Sequence, residues 1–199
     1  MAEFGCRGLH FDPKICNILD NKHTFCEWAR SELGLRTPES FLLTSNADVR
    51  ELNANLQKEA DAGSQKKFIL KNLQYDAIHR LDLFALPCSM EDLNAYLRTL
   101  TGEFTITKDA PWQAQRFLKG QEYAAFAVLR DGKIRAFTMC KSSASQLNYE
   151  HFEHPKIREW VRDFAAKSGL TGQLCWDFIE DEEGVPSRRA AGRPSAAAS

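Results

Sequence analysis

The order of helix-patterned and strand-patterned segments predicts an α+β fold. Three observations carry it. Asp131-Gly132 separates two apolar, β-prone runs, Glu122 to Arg130 and Lys133 to Cys140. A type I′ turn needs positive φ at both central positions, so this dipeptide predicts a hairpin. Residues 20–34 and the segment opening at His154-Pro155 repeat apolar residues at helical spacing. Helices and strands do not alternate in the regular way that builds a parallel sheet.

Along the chain, Phe25, Trp28, Ala29 and Leu33 mark one face of a first helix, with Gly34 as its stop. Phe41-Leu42-Leu43 is a short strand. Ser45 or Asn46 caps a helix carrying Val49, Leu52 and Leu56. Residues 66–71 read as a strand and 72–87 as loop. Ser89 with Asp92 resembles a capping box before Leu93, Tyr96, Leu97 and Leu100. Phe104 to Thr107 and Ala114 to Leu118 are candidate strands. After the hairpin, Ile157, Trp160, Val161 and Phe164 line one helix face that stops near Gly169, and Gly172 to Ile179 forms a last strand. Residues 185–199, rich in Pro, Ala, Ser and Arg, hold too little apolar surface to bury and read as a disordered tail.

Composition narrows the function classes. The 199 residues are 43% hydrophobic and 27% charged, ordinary for a globular protein. A net charge of −1 gives no overall attraction to nucleic acid or acidic membranes. Arg188, Arg189 and Arg193 lie in residues 185–199, which hold no acid, so the rest of the chain is more acidic than the total. No apolar run approaches the roughly 20 residues that span a bilayer, and the N-terminus lacks the pattern of a secretory signal. Six cysteines without a C-x-x-C pair read as reduced thiols, so a cytoplasmic location is expected.

Four segments hold residues suited to binding. Asp20-Asn21-Lys22 opens a helix, and also reads as an ordinary solvated helix start. Lys71 ends an apolar strand, where a lysine either points at a phosphate or lies on the surface. Gln115-Arg116-Phe117-Leu118-Lys119-Gly120-Gln121-Glu122-Tyr123 runs from a strand through a glycine turn. Its backbone can hydrogen-bond an adenine edge, and Glu122 can accept from ribose hydroxyls; an edge strand with a turn is the plainer reading. Thr171-Gly172-Gln173-Leu174-Cys175-Trp176-Asp177-Phe178 sets one acid in an apolar strand. A buried carboxylate needs a partner or a metal; otherwise Asp177 faces solvent. Alternation puts it on a face with Cys175 and Ile179.

In order and spacing these segments resemble the ATP-grasp superfamily, over about residues 15–184. The likeness is to carboxylate–amine ligases and carbamoyl-phosphate-synthase-like proteins. The resemblance implies two lobes whose antiparallel sheets sandwich a nucleotide cleft. A lid lobe would span about 38–112 and a larger lobe about 113–184, after an N-terminal extension at 1–14. It further implies that Lys22 and Lys71 hold phosphates and that Gln115, Arg116, Phe117, Leu118 and Glu122 hold adenine and ribose. Asp177 would ligate Mg2+, and ATP would activate an unidentified carboxylate for attack by an amine. The chain departs from the pattern in three places. Asn72 to Leu86 holds no glycine where a glycine-rich phosphate loop is usual. Only about twenty residues precede Lys22. No Glu-x-Asn strand, which completes the metal site, follows Asp177; Glu180 to Glu183 read as solvated acids. The alternatives to a ligase are a non-catalytic nucleotide-binding remnant and an interaction module.

Overall fold

The computed structural model describes residues 11–74, 83–142, 150–181 and, as backbone, 186–189. The chain divides into two compact units. One is residues 38–117; the other joins residues 1–37 to 118–199. The sequence-based boundary at 112/113 therefore moves to 117/118. The reason is pairing: Trp112–Arg116 belongs to the sheet of the first unit.

In the 38–117 unit, β1 (Ser40–Leu43), β2 (Phe68–Asn72), β3 (Ala85–Leu86) and β4 (Trp112–Arg116) form an antiparallel sheet in the order β1-β4-β2-β3. Helices α3 (Asn46–Asp61) and α4 (Met90–Thr99) belong to this unit; α1 (Pro13–Asp20) and α2 (Lys22–Ser31) precede it in the chain. Val49, Leu56, Leu93 and Leu97 from the helices cluster with Phe68, Leu70, Trp112 and Ala114 from the sheet. Ser45 caps α3 by accepting from the Asp48 N–H at 3.2 Å, and Ser89 caps α4 by accepting from the Asp92 N–H at 3.1 Å. Asp48 also accepts from the Thr44 N–H and from the hydroxyls of Ser45 and Thr44, which hold its carboxyl down at about 2, the Ser45 bond most of all.

Two expectations change here. The strand expected at 104–107 is instead a 3-10 turn at Gly102–Phe104 followed by irregular chain. Gly102 sits at φ +59°, and the Thr105 hydroxyl turns back to the Leu100 carbonyl, so the segment curls. The loop expected at 72–87 contains β3, a two-residue strand too short to show a period; residues 75–82 lie outside the described residues.

In the other unit, β5 (Gln121–Arg130), β6 (Lys133–Ser142), β7 (Gly172–Glu180) and β8 (Pro186–Arg189) form a second antiparallel sheet in the order β6-β5-β7-β8. The hairpin turns as expected: Arg130 pairs with Lys133, and Asp131 and Gly132 sit at φ +50° and +71°. The Asp131 N–H donates to the Thr171 hydroxyl at 2.8 Å, which docks the turn onto the start of β7. Helix α5 (Pro155–Ser168) ends on left-handed Gly169. It packs Ile157, Trp160, Val161 and Phe164 against Tyr123, Ala125, Leu129, Trp176 and Phe178 of the sheet.

The N-terminal helix is two helices, α1 (Pro13–Asp20) and α2 (Lys22–Ser31). Asn21 is extended at φ −90°, ψ 116°, and its side-chain oxygen accepts from the N–H groups of His23 and Thr24. A residue that caps one helix this way cannot also continue the one before it. α1 itself begins on Asp12, which caps Lys14, with Pro13 in the first turn. The 1–14 extension thus hands its last two residues to this helix. Also corrected is the tail: residues 186–189, expected to be disordered, pair with β7 as β8. β7 would otherwise offer an open edge, and backbone groups of a strand edge bond any chain that can reach them, whatever its composition.

Glu180 joins β7 to the core. It accepts from the Tyr123 hydroxyl and from His154 Nε2, each at 3.0 Å. The His154 bond, reinforced by that of Tyr123, holds its carboxyl below the usual carboxylate range against the opposing effect of burial. A depressed carboxylate stabilises the fold above its unfolded pKa, near 4.3, and loses that contribution as pH falls through its folded value. Glu180→Gln should therefore lower stability at neutral pH, and the gap to wild type should narrow below about pH 4. Thermal unfolding across pH checks this; a gap that widens in acid would contradict it.

Gly120 lies where a Cβ would overlap the Glu180 carbonyl oxygen. Gly120→Ala must displace backbone, so a loss of about 1–3 kcal/mol is expected in urea unfolding. An unchanged midpoint would show that the 119–121 turn yields freely.

Candidate nucleotide-binding residues

Alternation along the strands decides which side chains are available. In the 38–117 unit, Trp112 and Ala114 of β4 point into the helix-covered core. Gln113 and Gln115 therefore point to the other face, as do Ile69 and Lys71 of β2 and Ser40 and Leu42 of β1. The register sets Lys71 opposite Gln113, and Ile69 and Ser40 opposite Gln115. Lys71 Nζ donates to Gln115 Oε1 at 2.9 Å. Two residues singled out in the sequence 44 positions apart thus meet on one face.

Beyond Gln115 the chain leaves the sheet. The Arg116 N–H donates to the Glu39 carbonyl at 2.8 Å and the Phe117 N–H to the Lys67 carbonyl at 2.7 Å. Two of the backbone donors expected to meet a base are therefore engaged within the sheet. Phe117 is exposed, and Leu118 begins the second unit.

In that unit, Glu122 and Asp177 lie on adjacent strands. Glu122 pairs with Ile179, and Asp177 with Ala124, so the two acids share a face two register positions apart. It is the face opposite the one that packs Tyr123, Ala125, Trp176 and Phe178 against the helices. Asp177 shares its cross-strand row with Ala124, Cys140 and Arg189. Burial foremost, and the Asp177 charge in addition, raise the Cys140 thiol pKa. Lys22 stands in the first turn of α2, whose Phe25, Cys26 and Ala29 pack on the helix-covered face of this sheet.

The acids that follow Asp177 are committed elsewhere. Glu180 bonds Tyr123 and His154, and Asp181 pairs with Arg36 at 2.8 Å. The reading of 180–183 as solvated acids is thus corrected for these two; Glu182 and Glu183 lie outside the described residues. Among the described residues, no three His, Cys, Asp or Glu side chains converge as a metal-binding group.

Sequence reasoning passed over Gln113 and Ser40. The available signal was the alternation Trp112-Gln113-Ala114-Gln115, in which both glutamines fall on one face of a strand whose other face is apolar.

No protein-family model and no curated protein matches the chain. Solved structures do. N5-carboxyaminoimidazole synthase from Aspergillus clavatus, in complex with ADP and 5-aminoimidazole ribonucleotide, superposes with a TM-score of 0.61 at 16% identity, over 88% of this chain and 44% of that one. The ATP-grasp ligase PsnB, complexed with a phosphomimetic variant of its minimal precursor, Mg and ADP, gives 0.57 at 16% identity over 91% and 53%. Phosphoribosylamine–glycine ligase from Thermotoga maritima gives 0.56 at 17% over 88% and 48%. The chain spans about half the length of the structures it matches. With two antiparallel sheets and their helices in this order, the chain has the ATP-grasp fold.

Proposed function

We infer that the chain is an ATP-binding domain of the kind found in ATP-dependent carboxylate–amine ligases, with an incomplete metal site. The observation that carries this is the Lys71–Gln115 bond on the face of β2 and β4 turned away from the core. An ammonium fixed beside a strand end supplies a phosphate with a charge-assisted donor. Gln115 and the chain through Arg116, Phe117 and Leu118 hold the base by carbonyl oxygens and the remaining donors. Glu122 accepts from ribose hydroxyls. Lys22, at the start of α2, is a second phosphate contact in this reading.

The ligase chemistry of such a fold passes through an acyl phosphate. A carboxylate oxygen attacks the γ-phosphorus, ADP departs, and an amine then displaces phosphate from the acyl carbon. That sequence needs fixed positive charge where negative charge develops. Magnesium would supply it in a complete enzyme, but among the described residues only Asp177 and Glu122 place carboxylates on this face. The reading is therefore nucleotide binding with little or no turnover, and the acid and amine of any complete enzyme are left unspecified.

Two measurements check it. Lys71→Ala should weaken ATP binding by about 1.5–3 kcal/mol, the worth of a hydrogen bond to a charged group. Calorimetry giving equal affinities for variant and wild type would remove Lys71 from the site. ADP release with a panel of amino acids and other carboxylates should stay at the level of Asp177→Ala. Turnover abolished by that substitution would show a complete metal site.

A further inference from the structure

An open cavity lies between the start of β6 and helix α5. Its volume is about 510 Å3, within the size range of small-molecule sites. Gly132, Lys133 and Ile134 line it from the strand, and Arg158, Arg162, Ala165 and Ala166 from the helix. All belong to one unit, and α5 packs on the face of the sheet opposite Glu122 and Asp177. The lining is ordered along the helix. Arg158 and Arg162 are four positions apart, and Ala165 and Ala166 follow one turn later, so the four share one stripe of α5. Two guanidinium groups thus lead into an aliphatic floor of Ala165, Ala166 and Ile134. Among the described residues the lining holds three cations and no acid.

The two arginines are held differently. Arg158 Nε donates to Glu153 Oε2 at 3.1 Å, its Nη2 also bonds Glu153, and its guanidinium lies 4.5 Å from the centre of the Phe137 ring. Arg162 reaches Glu159 only at 3.4 Å and Asp163 at 3.7 Å, and all three side chains are exposed. Such pairs are worth little. The Arg162 fork is therefore open to a better-placed anion, which it holds with two parallel hydrogen bonds. The same two acids set the charge of that anion. A dianionic head meets repulsion from both Glu159 and Asp163, and a single carboxylate meets less. A basic strand edge also guards against unwanted pairing, a role that fits Lys133 and Arg135. It does not account for the arginines on α5 or for the aliphatic floor beside them.

We propose that this cavity binds an amphipathic monoanion, a carboxylate on an aliphatic body. The carboxylate sits on Arg162 beside Arg158, and the body lies over Ala165, Ala166 and Ile134. Lys133, at the hairpin end, adds positive potential. The site is distinct from the nucleotide residues and does not rest on ATP binding.

Titration calorimetry on the full chain with octanoate, octanamide and butanoate tests this. Octanoate should bind saturably at one site. Octanamide keeps the body and loses the charge; butanoate keeps the charge and shortens the body. Each should bind about 10-fold more weakly than octanoate, or weaker still. Arg162→Met should weaken octanoate about 10-fold and leave octanamide unchanged. Ala166→Leu should weaken both by filling the floor. Both positions are exposed, and thermal unfolding without ligand checks that each variant folds; should one fail, the other decides. Absence of saturable octanoate binding would overturn the proposal. So would octanoate binding no tighter than octanamide or butanoate, or an octanoate affinity unchanged in a folded variant.

Discussion

Successive side chains of a β-strand point to opposite faces, and in both sheets this alternation separates packing from chemistry. Each sheet lays one face against its helices. On β4, Trp112 and Ala114 go to the core while Gln113 and Gln115 go to the other side. On β7, Trp176 and Phe178 go to the core while Asp177 goes the other way with Cys175 and Ile179. A slip of one residue in either register would bury the polar set in the core and expose the aromatics. The aromatic packing that fixes the register, such as Trp160 and Phe164 against Trp176, thereby also fixes which side chains stand on the opposite face.

Much of this was legible because it is local. The Asp131-Gly132 turn follows from backbone preference alone, and Ser45 and Ser89 cap their helices through bonds to residues three positions away. The helix face of Ile157, Trp160, Val161 and Phe164 is equally local. The likeness to ATP-grasp proteins rested on short motifs in sequence order, and the superposed structures agree with the fold it implied.

What escaped the sequence depends on distant partners. β8 has no strand-like composition; it exists because β7 presents unpaired backbone beside it. The break at Asn21 turns on whether one side chain caps or continues, and a continuous apolar period hides that choice. Glu180 looked like the first of four solvated acids, yet Tyr123 and His154, 57 and 26 positions away, claim both its oxygens. The alternation on β4 marks Gln113 as sharing a face with Gln115, but its full burial without partners depends on distant neighbours and is not legible in the sequence.

The central claim is that nucleotide binds along β4 and the chain that follows it. Photo-crosslinking with an azido-adenine analogue of ATP, followed by peptide mapping, tests it most directly. The account predicts label concentrated in the peptides covering residues 112–122, and its loss when excess ATP competes. Label spread over the surface, or unaffected by competing ATP, would contradict it.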